Sequence, residues 1–177
     1  CGGTGGQCPD ETMCTEDGEC TPTPSQGPIV NDVVFSSRLV KQGTLVTLTV
    51  AVDDPNNNLP GYNDIAVVNA DMSSLGGSTV VPMIFAGGVG TTATYTLNIP
   101  TDGADVGSVV IPVQVDDHAG TNDGAAGLAA SPRRAVFYVY TGTLRHVGPG
   151  QTHPTIAGGI AAAVDGDAVI VHDGTYS

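Results

Sequence analysis

Six carboxylates fall in two loop segments of this 177-residue chain: Asp53, Asp54 and Asp64 in the first, Asp116, Asp117 and Asp123 in the second, with Asn57, Asn63 and Asn122 among them. Like charges gathered in one place repel, and a bound Ca²⁺ relieves the strain because it takes roughly six to eight oxygen ligands from carboxylates, amides and carbonyls. The basic residues closest in sequence, Arg133 and Arg134, stand at the far edge of the second segment. These six residues are therefore a candidate Ca²⁺ site, although their spacing is not that of an EF-hand. The alternative is a solvated acidic rim, because Asn and Asp also collect in long loops simply by making turns.

Cysteine chemistry is confined to the amino terminus. Cys1, Cys8, Cys14 and Cys20 are the four cysteines of the chain. Cys8, Cys14 and Cys20 stand six residues apart as disulfide candidates, and Cys1 is either a fourth partner or a modified residue. This usage suggests an oxidising, extracytoplasmic compartment. Zinc is the competing ligand, with neither a C-x-x-C pair nor a nearby His to support it.

Other catalytic signatures are missing from the sequence. It contains no Gly-x-Ser-x-Gly elbow, no phosphate-cradling loop and no His-Glu-x-x-His. Gly87-Gly88-Val89-Gly90 lacks a following Lys-Ser/Thr and reads as a hairpin tip. His118, His146, His153 and His172 fall on separate segments, and Asp165 and Asp167 belong to a turn. No catalytic residue is assigned.

Five Lys+Arg against eighteen Asp+Glu leave a net charge of −13. A nucleic-acid backbone would be repelled by such a surface. No apolar run approaches the roughly 20 residues of a membrane span. Twenty-five Gly, twelve Pro and no Trp describe a turn-rich β protein.

The elements that position these residues divide the chain into three parts. Residues 1–28 are an acidic, Cys-rich tether with too little apolar surface to fold without cross-links, and so disordered or disulfide-linked. Residues 29–141 read as seven short strands, near 29–36, 44–52, 65–71, 79–85, 93–99, 109–115 and 135–141, each bounded by turn residues. Val46, Leu48, Val50 and Val52 share one face of their run, and Tyr95, Leu97 and Ile99 share one face of theirs. Such strands fit two antiparallel sheets packed face to face. If their directions alternate, the two acidic segments meet at one pole. Residues 142–177 change pattern: Ile156, Ile160 and Val164 mark one face of a short helix over 154–164, capped by Thr152 or Thr155, before an apolar strand at 168–172. Gly158 and Gly159 each weaken that helix by roughly 1 kcal/mol relative to Ala.

Three resemblances follow from particular words of the sequence. Cys1-Gly2-Gly3 and the acidic tether behind it resemble a mature bacterial lipoprotein, which implies lipid on Cys1 and a lipid-anchored place on the bacterial outer membrane or cell surface. The stretch from Asn69 to Ser78, with Asp71-Met72-Ser73-Ser74-Leu75-Gly76-Gly77 at its centre, resembles the immunoglobulin-like modules of bacterial surface proteins. So do Tyr95-Thr96-Leu97-Asn98-Ile99-Pro100 and Ile111-Pro112-Val113-Gln114-Val115-Asp116-Asp117. This implies an immunoglobulin-like antiparallel β-sandwich. Val147-Gly148-Pro149-Gly150, Thr155-Ile156, Asp165-Gly166-Asp167 and Gly174-Thr175-Tyr176 resemble the opening of a right-handed parallel β-helix of the pectin-lyase-like class. That implies a cap helix and first strand, continued by further coils beyond residue 177.

The expected protein is all-β and works as a non-enzymatic cell-surface lipoprotein module. It serves as a spacer and as an adhesion or carbohydrate-binding scaffold toward a cell-surface or extracellular polysaccharide or protein. The second reading is the front of an extracellular polysaccharide lyase or hydrolase whose catalytic β-helix lies downstream. A third makes the sandwich itself a sugar-binding domain, with Tyr62 as its aromatic platform.

Overall fold

The structure is a computed structural model describing residues 12–14, 20–22, 28–53, 65–117 and 133–176, with the backbone alone at 12–14, 20–22, 66 and 117. Its strands are β1 (Thr12–Cys14), β2 (Cys20–Pro22), β3 (Ile29–Phe35), β4 (Leu39–Lys41), β5 (Leu45–Asp53), β6 (Ile65–Ala70), β7 (Val81–Pro82), β8 (Ile84–Val89), β9 (Thr92–Pro100), β10 (Gly107–Asp117), β11 (Arg133–Tyr140), β12 (Leu144–Val147) and β13 (Ala168–Val171), with one α-helix, α1 (Ile156–Ala162), between the last two.

One sheet runs in the order β3-β5-β9-β8 and a second in the order β4-β11-β10-β6-β7. Neighbours are antiparallel except β4, which lies parallel to β11. Strict alternation makes one face of each sheet apolar. Val46, Leu48, Val50 and Val52 of β5 are buried from one sheet, and Val109, Ile111, Val113 and Val115 of β10 from the other. The two faces share a single core, joined where the Phe35 and Phe137 rings meet edge to face at 4.9 Å between centroids. Thr101 is the one buried polar residue among those described, and it is satisfied: its hydroxyl accepts from Thr44 N (3.1 Å) and donates to Thr44 O (2.8 Å). The chain is thus all-β, with two mainly antiparallel sheets around the core.

Three features depart from the sequence reading. The strand expected at 79–85 is two strands in different sheets, β7 beside β6 and β8 beside β9; Met83, buried, carries the chain across, its N–H still donating to Val68 O of β6 at 2.8 Å. Residues 39–41, expected as a connection, pair with β11 as an edge strand. The helix does not bury its apolar stripe, since Ile160 and Val164 are 62% and 70% exposed and α1 stops at Ala162. Its buried residue is Gly159, where a Cβ would overlap Cγ2 of Val147. Helix and strand approach as closely as they do because that position has no side chain. The expected cap is present, with the Thr155 hydroxyl accepting from Gly158 N at 3.1 Å.

The Asp71 to Gly77 stretch forms a capped turn. Asp71 Oδ1 accepts from Ser73 N at 2.8 Å, Ser73–Leu75 make one 3-10 turn, and Gly77 N donates back to Met72 O. The Ser73 hydroxyl and amide hold the Asp71 carboxyl below the usual carboxylate range.

Candidate functional site

All five basic residues of the chain, Arg38, Lys41, Arg133, Arg134 and Arg145, lie on or beside β4, β11 and β12. In a chain of net charge −13 these three strands, with Arg38 beside β4, therefore carry all of the positive side-chain charge of Lys and Arg. β11 sets the outline. Ala135, Phe137 and Val139 point into the core, so alternation turns Tyr138 and Tyr140 outward, and Tyr138 is 54% exposed. The parallel register places Leu39 beside Tyr138 and Lys41 beside Tyr140, and Tyr138 N donates to Arg38 O at 2.8 Å.

Four residues after Tyr140 the chain enters β12, which pairs in parallel with β13 from Leu144↔Ala168 to Val147↔Val171. The return of β13 closes a cleft of about 490 Å³ against the sheet edge, lined chiefly by Arg38, Leu39, Tyr138, Tyr140, Asp167 and Val169.

Asp167 braces this junction. Its side chain, 2% exposed, accepts from Thr143 N (2.6 Å), Val164 N (3.1 Å) and Arg145 Nε (2.7 Å). The two backbone amides, then the guanidinium, hold its carboxyl down at about 2. Beside it, Gly166 O accepts from both Thr141 N and Gly142 N. Gly166 itself has φ +87° and would overlap Thr141 Oγ1 if it carried a Cβ, so the turn requires glycine there. No protein-family model matches this chain, and no curated protein does either.

The chemistry of the cleft is therefore read from its own walls. Two tyrosine rings offer flat apolar faces with polar edges, and Arg38 offers a fork of N–H donors. Among the described residues no Ser, Thr, Cys, His or Glu lines the cleft, and its one carboxylate, Asp167, is ionised and committed to three donors. This set suits stacking and hydrogen bonding to a ring that is apolar on its faces and polar on its rim.

Elsewhere in the same unit, His146 Nδ1 and His172 Nε2 share a hydrogen bond at 2.8 Å, bringing together two histidines that the sequence left on separate segments. Tyr176 donates its hydroxyl to Val147 O (3.3 Å) and to His172 O, fastening the last described residue to β12.

The acidic residues are placed as follows. Asp53 follows buried Val52 and so faces outward on the β5 sheet, where it accepts from Asn31 Nδ2 and Thr92 Oγ1. Asp116 follows buried Val115 and faces outward on the β10 sheet, accepting from Gln114 Nε2 at 3.0 Å. The two carboxylates thus occupy outer positions of different sheets. Asp116 instead lines a second, polar groove of about 410 Å³ with Asn69, Asp71, Thr79 and Gln114. The backbone of Asp117 pairs with Ile65, which opens β6, so β10 ends beside the start of β6. Asp54, Asp64 and Asp123 lie outside the described residues, as do Cys1, Cys8, Tyr62 and His118; Cys14 and Cys20 are paired backbone partners in the β1/β2 hairpin.

Tyr138, Tyr140 and Arg38 were not singled out from the sequence. One signal pointed to the tyrosines, aromatic residues at alternate positions of an apolar run; that Arg38 joins them follows only from the pairing of β4 with β11.

Proposed function

We propose that this chain is a presentation module of the bacterial surface, held by lipid on Cys1, spaced by an immunoglobulin-like sandwich and continued into the start of a parallel β-helix, with extracellular polysaccharide as the ligand of the junction cleft. The carrying observation is the cleft itself, where outward-facing Tyr138 and Tyr140 stand with Arg38 against a β12/β13 unit latched by Asp167. A sugar ring can lay its C–H face on tyrosine while its hydroxyls take the guanidinium donors.

The strand orders support the immunoglobulin-like reading. β3-β5-β9-β8 follows the A-B-E-D order of such sandwiches, and β11-β10-β6-β7 the G-F-C-C′ order, with β4 as a second segment of the first strand moved to the opposite sheet. Support for the β-helix reading comes from the four-residue parallel pairing of β12 with β13 across a helical crossover. Parallel strands stacked in register are how one coil rests on the next.

Affinity electrophoresis of the chain through gels containing neutral or uronate polysaccharides tests the reading. Retardation by at least one polysaccharide, lost in Tyr138→Ala and weakened in Arg38→Ala with the melting temperature unchanged, is the expected result. Free migration through all of them would remove polysaccharide binding, and an unmodified Cys1 in protein extracted from its own membranes would remove the lipid anchor.

A further inference from the structure

β1 and β2 pair antiparallel, with Thr12 opposite Pro22, Met13 opposite Thr21 and Cys14 opposite Cys20. Opposed residues in such a ladder alternate between pairs that exchange two N–H···O bonds and pairs that exchange none, and in the second kind the Cα atoms stand about 4.5 Å apart. Pro22 has no N–H, so it suits only the pair that exchanges none. Thr12/Pro22 is then a non-bonded pair, Met13/Thr21 a bonded one, and Cys14/Cys20 a non-bonded one again. A disulfide spans Cα separations of about 4.4–6.8 Å, so the proline sets the phase of the ladder that puts the two cysteines at bridging distance. The intervening sequence contains Asp17-Gly18, a pair that favours the reversal between the strands.

We infer that Cys14 and Cys20 form a disulfide that closes this hairpin. The two thiols give up two protons and two electrons to an oxidant of the disulfide class, such as glutathione disulfide. One S–S bond forms between the cysteines while the oxidant's S–S bond is reduced to two thiols. A hairpin of two three-residue strands is marginal in water, and the cross-link stabilises it by restricting the open chain. Of the three connectivities that four cysteines permit, only one contains this bond, and it pairs Cys1 with Cys8. Where Cys1 carries lipid on its sulfur, Cys8 is left as a free thiol.

The sequence supplies its own cleavage sites for the test. A Glu-specific protease cuts after Glu11, Glu16 and Glu19 and, with trypsin cutting after Arg38, releases peptides 1–11, 12–16 and 20–38. The full chain is equilibrated in a mixture of reduced and oxidised glutathione, alkylated without reduction and digested for mass spectrometry. Peptide 12–16 is expected joined to 20–38, separating on reduction, and Cys8→Ser should leave that species intact. Peptide 1–11 joined to either of the others, or 12–16 and 20–38 both recovered alkylated, would overturn the assignment. Single Cys14→Ser and Cys20→Ser variants should each expose the remaining cysteine of the pair to alkylation; protection of that cysteine in either variant would overturn it equally.

Discussion

Arg145 Nε lies 2.7 Å from Asp167 Oδ2, and this ion pair spans the turn that brings β13 back alongside β12. The partners are not equal. Asp167 is almost wholly enclosed and takes two backbone amides besides the guanidinium, whereas the Arg145 side chain is 22% exposed. The carboxylate is therefore the centre of the latch and the arginine one of its three donors.

That inequality predicts the mutational order. Asp167→Ala leaves the amides of Thr143 and Val164 without an acceptor and should lower the melting temperature by several degrees, with faster hydrogen exchange at both amides. Arg145→Ala removes one partly solvated donor and should cost clearly less. Equal losses from the two variants would show that the pair, rather than the carboxylate's backbone bonds, holds the junction.

The same carboxyl sets an acid limb. Its pKa falls from 3.8 to about 2 on folding, so it stabilises the folded chain fully above the unfolded value, and that contribution fades as pH drops from 3.8 to about 2. Asp71 is shifted in the same direction by Ser73. Melting temperature should therefore decline with acidification through this interval, and Asp167→Asn should flatten the decline without abolishing it. An unchanged slope in Asp167→Asn would refute the latch as its source.

Glycine in a helix ordinarily weakens it, and replacement by alanine usually gains about 1 kcal/mol. At Gly159 the sign should reverse, because the new methyl would overlap Val147 Cγ2, a buried atom with little room to move. Gly159→Ala is expected to destabilise the chain by about 1–3 kcal/mol in urea titration, as overpacking does. Gly158→Ala, whose methyl meets only the Thr155 hydroxyl at 3.0 Å, should be much milder. A stabilised Gly159→Ala would mean that α1 does not rest on Val147.

These positions also show what a linear sequence displays and what it conceals. The alternation in β5 is a local property, and Val46, Leu48, Val50 and Val52 all went to the core as the period-two pattern requires. The switch of sheets between Pro82 and Ile84 depends on which strands flank it, and that is a long-range fact. The period at Ile156, Ile160 and Val164 predicted a packed helical face, yet Val164 falls beyond α1, all three residues are exposed, and Gly159 is the residue that packs. The junction cleft was the least legible feature, because it needs both the parallel register of β4 on β11 and the return of β13, neither of which any single segment encodes.

The placement of Asp53 and Asp116 gives a last test, directed at the calcium expectation. Asp53 accepts two side-chain donors on one outer face, so Asp53→Ala should cost about 1 kcal/mol, whereas Asp116→Ala, whose partner among the described residues is an exposed glutamine, should be nearly silent. Residues on different sheets with separate partners do not share an interaction, so the double variant should equal the sum of the singles to within roughly 0.5 kcal/mol. Repeating the cycle in millimolar Ca²⁺ makes it decisive: an ion held jointly by both carboxylates would raise the melting temperature of the unmodified chain and introduce a coupling absent without the ion. Additivity under both conditions would assign the two carboxylates to separate outer faces and leave any Ca²⁺ binding to other ligands.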